Sequence, residues 1–376
     1  MALRILHIIP STHNVGGLEN GVLNLVQRLD RFQHAVCPVG NLGPLGDLLP
    51  RERVAVLQLE KSNRRFAIQI GALAEQIRAW KPDIVHSRNW GALEGVFASR
   101  WSRSAAVVHS EHGVENHPAE GPRRRIWFRR VAFELADRVL CVSSQLREML
   151  AQCTGFPSRK MSVIHNGVDM NRFFPDPAAR DRMRRQLGIG AEEICFGCVG
   201  RLYPVKDYWT LLRALEEVTE SCTNWRLLIA GQGPDLVPLQ QFVNERPSLA
   251  GRVNFFGVTR AVAEILNAMD VYVLPSITEG ISNSLLEAMA TGLPVIVSAI
   301  GGNLEVVVDG ESGLMFPVGD ATCLANHLLR LTKSTDLRVR MGSQALRRIQ
   351  NDFSIGTMVA NYERMYRGVA QGRAVS

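Results

Sequence analysis

The chain is predicted to be an α/β protein with two doubly wound domains, each built on a parallel sheet covered by helices. It has 376 residues, more than one hydrophobic core usually organises, so two domains are expected. Short runs rich in Val, Ile and Leu recur along it, separated by stretches of helical period such as residues 66–80. That alternation is typical of βαβ units with helices on both faces of the sheet.

The apolar runs fall into two groups. The first group is LRILHII, HAVCPV, VAVLQL, DIVHS, AAVVHS, RVLCVS and MSVIHN. A Pro-containing break, MNRFFPDP, then precedes the second group, which is CFGCVG, WRLLIAG, VNFFG, DVYVLPS, PVIVS and GLMFPV. We therefore predict domains at residues 1–170 and 171–354. An amphipathic helix at about 355–376 could pack on either domain.

Composition places the chain among soluble globular proteins, with 46% apolar and 21% charged residues. Its seven cysteines are an odd number without C-x-x-C spacing, which argues against a disulfide framework or a structural zinc site and for a reducing compartment. Cys141, Cys195 and Cys198 lie in apolar runs and are expected in the core. The N-terminus does not resemble a signal peptide, and no run is long enough to span a membrane, so a cytoplasmic location is expected.

The net charge of +7 comes entirely from the first domain. Residues 1–170 carry 22 Lys and Arg against 15 Asp and Glu, whereas the remainder is balanced. Arginine and aromatic residues interleave on a predicted helix within residues 121–138, a composition that favours contact with an anionic membrane. The alternative is an ordinary solvated basic face. No nucleic-acid-binding fold is indicated. The predicted membrane contacts are Arg123, Arg124, Arg125, Trp127, Phe128, Arg129 and Arg130.

Two carboxylates follow the run DVYVLPS in the stretch ITEGISNSLLEAMATGLPVIVS. Glu279 is predicted in the loop, and Glu287 about one turn into a helix capped by Ser282 or Asn283 and stopped near Gly292. Carboxylates can accept hydrogen bonds from sugar and ribose hydroxyls. Amides at the helix start suit a phosphate. On the glutamates alone, a purely structural role is equally open.

Two cations follow the run CFGCVG in the segment GRLYPVKD. Arg201 offers a planar fork and Lys206 a mobile point charge, a combination suited to a diphosphate. Either alone would be read as a solvated surface residue. Gly16 and Gly17, between a strand and a helix, could bring backbone close to an anion or form only a tight turn.

Histidines and glutamates cluster in the segment HSEHGVENH. Its members are His109, Glu111, His112, Glu115 and His117. The spacing lacks the His-x-x-x-His pattern of helical zinc sites, which argues against zinc. His112, at a strand end beside a glycine, is the better candidate for contact with a substrate hydroxyl.

Missing motifs narrow the choice of function. The chain has no G-x-x-x-x-G-K-[ST] segment, so a P-loop NTPase is not expected. Leu236 follows Gly231 and Gly233 where a dinucleotide fingerprint would place its third glycine. No Asp-x-Asp pair occurs, so Arg201, Lys206 and backbone amides would have to meet the charge of a diphosphate.

Together these motifs resemble glycosyltransferase family 4, a family of retaining enzymes with the GT-B fold. The resemblance runs from about residue 3 to 370 and rests most on GRLYPVKD and EGISNSLLEAMATGLPVI. It also rests on GGLE, SEHG, CVSS, VIHNGVD and GLPVIVSAIGGNLEVVVDGESGLMFPVGD. The opening GGLENGVLNLVQRL is similar to sugar transferases of exopolysaccharide and PEP-CTERM/exosortase loci.

The resemblance implies transfer of a sugar from a nucleoside-diphosphate donor to a lipid-linked or polysaccharide acceptor, with no metal or other cofactor. The two Rossmann-like domains would face each other across a cleft, and the terminal helix would return to the first domain. Arg201 and Lys206 would stabilise the leaving diphosphate, Glu279 would hold the sugar, Glu287 the ribose, and His112 would lie against the donor sugar. The other implied donor contacts are Gly16, Gly17, Gly257, Gly280, Ile281, Ser282, Asn283 and Ser284. A sugar-nucleotide epimerase and a non-catalytic nucleotide-sugar sensor remain alternatives, and the base of the donor is not predicted.

Overall fold

The computed structural model describes residues 2–10, 16–59, 66–103, 105–113 and 123–374. The chain divides into two compact units. Unit 1 contains Met1–Asn166 and Gly356–Ser376, and unit 2 contains Gly167–Ile355.

Unit 1 contains a parallel sheet of seven strands within the described residues. They are β1 (Arg4–Ile9), β2 (Gln33–Pro38), β3 (Val54–Val56), β4 (Ile84–Arg88), β5 (Ala106–Glu111), β6 (Arg138–Cys141) and β7 (Met161–Val163). Their order across the sheet is β3-β2-β1-β4-β5-β6-β7. The direction of winding therefore changes between β1 and β4, as in a doubly wound sheet.

The helices of unit 1 pack on this sheet and include the C-terminal helix. They are α1 (Gly17–Arg28), α2 (Leu45–Leu48), α3 (Phe66–Trp80), α4 (Glu94–Ser102), α5 (Arg123–Leu135), α6 (Ser144–Thr154) and α15 (Ile355–Ala374). The predicted helix at residues 66–80 is confirmed. Helix α15 buries Tyr362 and Tyr366, and Tyr366 lies edge-on to Phe32 with ring centroids 6.4 Å apart.

Unit 2 repeats the plan with six parallel strands in the described chain. They are β8 (Ile194–Val199), β9 (Trp225–Ala230), β10 (Val253–Gly257), β11 (Val271–Leu274), β12 (Val295–Ser298) and β13 (Gly313–Phe316). Their order is β10-β9-β8-β11-β12-β13, so the winding changes between β8 and β11. All thirteen apolar runs that were predicted as strands form strands, and the predicted fold class is confirmed.

The helices of unit 2 cover both faces of its sheet. They are α7 (Pro177–Leu187), α8 (Tyr208–Ser221), α9 (Leu236–Asn244), α10 (Val262–Ala268), α11 (Asn283–Ala290), α12 (Asn303–Val306), α13 (Ala321–Lys333) and α14 (Thr335–Asp352). Two buried apolar clusters result. One includes Met269, Leu285 and Val297, and the other Phe196, Leu211 and Leu328. Burial of apolar surface on both faces is the main force holding such a sheet together.

Helix α11 has the ends that were expected from its sequence. The Ser282 hydroxyl accepts a hydrogen bond from the Leu285 amide at 3.4 Å, and Gly292 adopts φ +76° just beyond the last turn. A capping serine satisfies an amide left free at the helix start, and a left-handed glycine ends the helix without a steric penalty.

The cysteines agree with the predicted interior positions. Cys141, Cys195 and Cys198 are buried, and all seven cysteines are free thiols. In the part of the chain that the structure describes, no helix has the length and apolar character needed to cross a bilayer.

Candidate functional site

The predicted charged residues of unit 2 lie where the winding of its sheet changes. Arg201 and Lys206 follow β8, and Glu279 follows β11, the neighbouring strand. The Ile277 amide donates to the Val205 carbonyl at 2.9 Å, which joins the two loops. In open α/β sheets this position outside the carboxyl ends of the strands is where ligands bind.

Lys206 and Glu279 form the centre of this site. The Lys206 ammonium is paired with Glu279 Oε1, and the Ser276 hydroxyl donates to the same oxygen at 2.8 Å. The side chain of Glu279 is only 9% exposed and that of Lys206 18%. Because both ends of the pair are largely shielded from water, their attraction is screened less than that of a surface pair.

Arg201 is the second cation at this edge and remains exposed. Its guanidinium lies over the ring of Tyr203, 5.1 Å from the centroid. No carboxylate pairs with it among the residues described for unit 2. The site therefore has one cation already compensated by a carboxylate and one whose charge is open to an anion.

Glu287 is half-buried on α11 and forms no side-chain hydrogen bond within the described chain. Burial raises the pKa of Glu287 to about 7, against the opposing charge of Arg172. A half-buried carboxylate without a donor is costly unless a ligand supplies one.

The charges of both glutamates act on one buried residue, Tyr272. Burial raises the pKa of Tyr272, and the charges of Glu279 and Glu287 act in the same direction. The Tyr272 hydroxyl donates to Ser284 Oγ at 2.7 Å and lies 3.3 Å from the Val199 carbonyl at the end of β8. Tyr272 of β11 thus links the end of β8 to the start of α11.

Gly280, Ile281, Ser282, Asn283 and Ser284 form the loop and the first turn of α11. Ile281 and Ser282 are buried, and the other three are half-buried. The amides at a helix start and the positive end of the helix dipole favour an anion at this position.

Two pairs of closely packed backbone segments shape the site. A Cβ at Gly302 would lie 1.8 Å from the Gly280 carbonyl oxygen, and one at Gly231 would lie 1.8 Å from that of Gly200. Gly231 also has φ +148°, and its amide donates to the Gly257 carbonyl at 2.8 Å. In the sequence Gly231 stands out only as part of an incomplete dinucleotide motif, whereas in the structure the absence of its side chain lets the loop after β8 pass closely.

In unit 1, Gly16 caps the start of α1 and Gly17 is its first residue. The Gly16 amide donates to Glu19 Oε2 at 2.9 Å, so in this structure an acidic side chain occupies one amide of the segment that was predicted to approach an anion. Gly17 is exposed in the first turn of the helix.

His112 lies just beyond the end of β5 and is half-buried. Its amide donates to Asn89 Oδ1 at 2.7 Å, and its Nε2 lies 2.9 Å from Ser110 Oγ. Burial, with the charge of Arg88, lowers the pKa of His112 to about 3. Its Nδ1 is buried and has no hydrogen-bond partner within the described residues.

Glu111, a member of the histidine and glutamate segment, is occupied by an arginine. Arg129 Nε donates to Glu111 Oε1 at 2.8 Å, and His109 Nε2 lies 3.5 Å from the same oxygen. Glu115 and His117 lie outside the described residues. Elsewhere in the described ranges, no group of three or more His, Cys, Asp or Glu side chains is arranged to hold a metal ion.

The pairing with Glu111 corrects one predicted membrane contact. Arg129 is 8% exposed because it turns inward to neutralise a buried carboxylate, so it is not part of the basic surface. Arg130 is half-buried and pairs with Glu134 at 2.5 Å.

The other predicted membrane contacts remain at the surface. Arg123, Arg124 and Arg125 are exposed, and Trp127 is 60% exposed. Phe128 is half-buried, with its ring centroid 5.6 Å from that of Phe66. The side chains of Phe66, Ile68 and Trp101 are also exposed, by 40%, 47% and 60%.

Both units match models of known protein families. The model described as "Glycosyltransferase Family 4" matches residues 15–172, and the model described as "Glycosyl transferases group 1" matches residues 193–334. The matched regions cover the strands that carry the candidate residues in each unit.

Two curated relatives have extensive similarity. The Escherichia coli UDP-Gal:alpha-D-GlcNAc-diphosphoundecaprenol alpha-1,3-galactosyltransferase is 30% identical over 302 residues, 78% of each chain. The GDP-mannose-dependent alpha-(1-6)-phosphatidylinositol monomannoside mannosyltransferase of Mycolicibacterium smegmatis is 35% identical over 230 residues, 59% of each chain.

Among solved structures, Anabaena HepE in complex with UDP-glucose has the same fold. It aligns with a TM-score of 0.85 at 22% identity, covering 97% of this chain and all of that one. At this level of identity the likeness concerns the fold.

Proposed function

The chain belongs to glycosyltransferase family 4, and we propose that it transfers a sugar from a nucleoside diphosphate to a lipid-linked or polysaccharide acceptor. The transfer would retain the anomeric configuration and would use no metal. The observation that carries the proposal is the cluster at the winding change of unit 2. There Lys206, paired with Glu279, lies in a loop bound to the Glu279 loop by a backbone hydrogen bond.

The charges of this cluster suit a departing diphosphate. Breaking the bond between the anomeric carbon and the phosphate oxygen leaves negative charge on that oxygen. Arg201, Lys206 and the amides at the start of α11 would stabilise it as it develops. The pairing with Glu279 holds Lys206 in place before the donor arrives, so little reorganisation is needed during the reaction.

The carboxylates would bind the neutral parts of the donor. Glu279 would accept hydrogen bonds from hydroxyls of the transferred sugar, and Glu287 from the ribose. Ribose hydroxyls would supply the hydrogen-bond donors that Glu287 lacks. The backbone around Gly257 would lie beside the base.

Retention constrains the path of the acceptor. The acceptor hydroxyl would form its bond on the face of the sugar from which the diphosphate leaves, and its proton would pass to the leaving phosphate oxygen. This scheme needs no separate basic side chain. Arg201, Lys206 and the α11 amides together would perform the role that a chelated metal performs in other transferases.

The acceptor is inferred from the relatives. The Escherichia coli relative acts on a diphosphoundecaprenol-linked sugar and the Mycolicibacterium smegmatis relative on a phosphatidylinositol mannoside, and both acceptors are carried on lipids. A role in exopolysaccharide or cell-envelope glycan synthesis at the inner face of the cytoplasmic membrane fits such acceptors.

An anionic membrane surface is the proposed docking partner of unit 1. Arg123, Arg124 and Arg125 provide exposed positive charge on the helix that carries the exposed ring of Trp127, and Trp101 of unit 1 is exposed as well. Basic residues attract anionic lipid head groups, and indole rings favour the bilayer interface.

The catalytic assignment is tested by replacing the paired residues. Lys206→Ala and Glu279→Ala are each expected to lower the transfer rate by roughly a hundredfold or more. Because the two residues are in contact, the double variant should be less impaired than the product of the single effects. Thermal-shift screening against UDP-, GDP- and ADP-sugars would identify the donor before transfer to a lipid-linked acceptor is assayed.

Lys333→Ala is the matched control, since Lys333 is an exposed lysine of the same unit. Full activity in Lys206→Ala and Glu279→Ala would refute the assignment. An epimerised donor formed without acceptor would instead identify an epimerase, and donor binding without turnover would identify a sensor.

A further inference from the structure

Helix α15 contributes to a chain of buried hydrogen bonds that ends at His112. The Tyr366 hydroxyl lies 2.6 Å from His86 Nδ1, and His86 Nε2 lies 2.9 Å from Ser110 Oγ. Ser110 Oγ in turn lies 2.9 Å from His112 Nε2. Tyr366 and His86 are completely buried and Ser110 is 1% exposed, so solvent does not compete for these bonds.

Each member of the chain has few protons, so only three neutral arrangements make all three hydrogen bonds. In the first, Tyr366 donates to His86, His86 to Ser110, and Ser110 to His112 Nε2. In the second, every bond is reversed, and the proton of Tyr366 has no acceptor within the described residues. In the third, Tyr366 donates to His86, both His86 and His112 donate to the Ser110 oxygen, and the proton of Ser110 has no acceptor within the described residues. A buried hydroxyl left without an acceptor is unfavourable, and only the first arrangement avoids one.

Arg88 disfavours the second arrangement. This arginine is 1% exposed, and its charge acts on His86, Tyr366 and His112. A guanidinium can only donate hydrogen bonds and favours oxygen lone pairs over hydroxyl protons directed at it. The Tyr366 oxygen therefore faces the cation while its proton points to His86 Nδ1.

A second chain from Arg88 has its direction fixed at both ends. Arg88 Nη1 donates to His7 Nδ1 at 2.9 Å, and His7 Nε2 lies 3.0 Å from His34 Nδ1. His34 Nε2 lies 3.0 Å from the carbonyl oxygen of Leu29. A carbonyl can only accept, so each histidine must carry its proton on Nε2. His86 has the same tautomer in the first arrangement.

We propose that Tyr366, supported by Arg88, is a positioning residue that keeps the proton of His112 on Nδ1, so that this nitrogen donates a hydrogen bond to an oxygen of the bound sugar. The proposal rests on the proposed function for the identity of that ligand. The unpartnered, buried Nδ1 of His112 is the atom that the chain of hydrogen bonds leaves free.

The charge state of the histidines agrees with this direction. Burial, with the charge of Arg88, lowers the pKa of His86 and lowers that of His112 to about 3. Both rings are then neutral at pH 7, and each has one donor and one acceptor nitrogen. A neutral donor suits a sugar oxygen, which carries no full charge.

Tyr366→Phe removes the first hydroxyl of the chain and keeps the ring against Phe32 and His86. We expect the kcat for transfer to fall roughly three- to tenfold, the contribution of one hydrogen bond, with the KM for the donor unchanged. Long-range ¹H–¹⁵N spectra of the full chain should show Nδ1–H on His112 in the wild type and a mixture of tautomers in the variant. The spectrum of His112→Gln assigns the signal.

Tyr362→Phe is the matched control. Tyr362 lies on the same helix and beside the same His86 ring, 6.0 Å between centroids, but its hydroxyl makes no hydrogen bond within the described chain. The control should keep wild-type kcat and the Nδ1–H signal.

Three results would overturn the proposal. They are an Nε2–H tautomer of His112 in the wild type, an unchanged tautomer or kcat in Tyr366→Phe, and equal effects of the two tyrosine variants. If the wild type transferred no sugar at all, the proposed function would fail, while the spectra would still decide whether Tyr366 sets the tautomer.

Discussion

The first six strands of unit 1 and the six strands of unit 2 have the same order, but the two units differ in which side chains their strands bury. The strands of unit 1 bury His7, His86, Arg88, His109 and Glu111. Those of unit 2 bury Ser298 but no charged or histidine side chain within the described residues. The candidate residues Arg201, Lys206 and Glu279 of unit 2 lie in loops beyond the strand ends, where they can meet a ligand.

The two units therefore use polar side chains in two different ways on the same architecture. An exposed loop residue such as Arg201 stays hydrated until an anion binds, so its charge costs little free energy. A buried group must be satisfied by the protein, because an unpaired charge in the interior is expensive. The interior of unit 1 therefore contains connected hydrogen bonds, and their value lies in fixing proton positions more than in adding stability.

The largest expected effect concerns the buried ion pair of unit 1. Arg129→Ala leaves Glu111 buried without its cation and should lower the free energy of unfolding by about 3–5 kcal/mol. Arg130→Ala, which disrupts a partly exposed pair with Glu134, should cost about 0–1 kcal/mol. Denaturant unfolding of both variants measures the two losses of unfolding free energy, and equal losses would contradict the prediction.

The effect of Arg129→Ala should also depend on pH. Burial alone would raise the pKa of Glu111, but Arg129 and His109 hold it below its ordinary value. A carboxylate with a lowered folded-state pKa stabilises the protein above its unfolded-state pKa, and this contribution is lost as the pH falls through the folded-state value. The difference between wild type and variant should therefore shrink in acid.

A smaller effect is expected at the surface of unit 1. Replacing Arg123, Arg124 and Arg125 by Gln should weaken binding to anionic vesicles by about 1 kcal/mol for each residue at low salt, and by less at high salt. Donor affinity should not change. The matched control replaces Arg182, Arg185 and Arg213, exposed arginines of unit 2, and vesicle binding that fell equally in both triple variants would contradict the proposed surface.

The smallest effect concerns a carboxylate that unit 2 leaves unsatisfied. The folded-state pKa of Glu287 is raised to about 7 by burial, so its ionisation destabilises the fold as the pH rises from its ordinary value through 7. Glu287→Gln should raise the Tm at pH 8, by about 2–4 °C for each kcal/mol recovered, and leave it nearly unchanged at pH 4.

Donor affinity should fall in Glu287→Gln, because an amide accepts fewer hydroxyl hydrogen bonds than a carboxylate. Glu220→Gln, at an exposed position of α8, is the control and should alter neither property. An unchanged Tm of Glu287→Gln at pH 8 would mean that the carboxylate is already satisfied.

The sequence predictions that the structure confirms concern features set by interactions between residues close together in the sequence. Strands buried on both faces appear as apolar runs, and the start of α11 is set by Ser282, which acts three residues away. Glu279 and Lys206 were predicted to belong to one site because both follow strands. Their direct pairing required the adjacency of β8 and β11, which apolar periodicity does not encode.

The hydrogen-bonded chains of unit 1 could not be predicted in the same way. His86 and Tyr366 are 280 positions apart, and each looks unremarkable in its own segment. Arg129 was assigned to the membrane surface because its neighbours are basic and aromatic, although Glu111, eighteen positions earlier, draws it inward. Only the positions of β4, β5, α5 and α15 in space bring these partners together.

The membership of α15 in unit 1 also affects how the chain must be made. During synthesis the first 166 residues emerge from the ribosome long before Tyr366, yet the pocket that Tyr366 fills beside Phe32 and His86 belongs to them. Until the final segment is released, that pocket has no cover. A gene divided at the boundary between the units would accordingly encode a first half that lacks the helix covering this pocket.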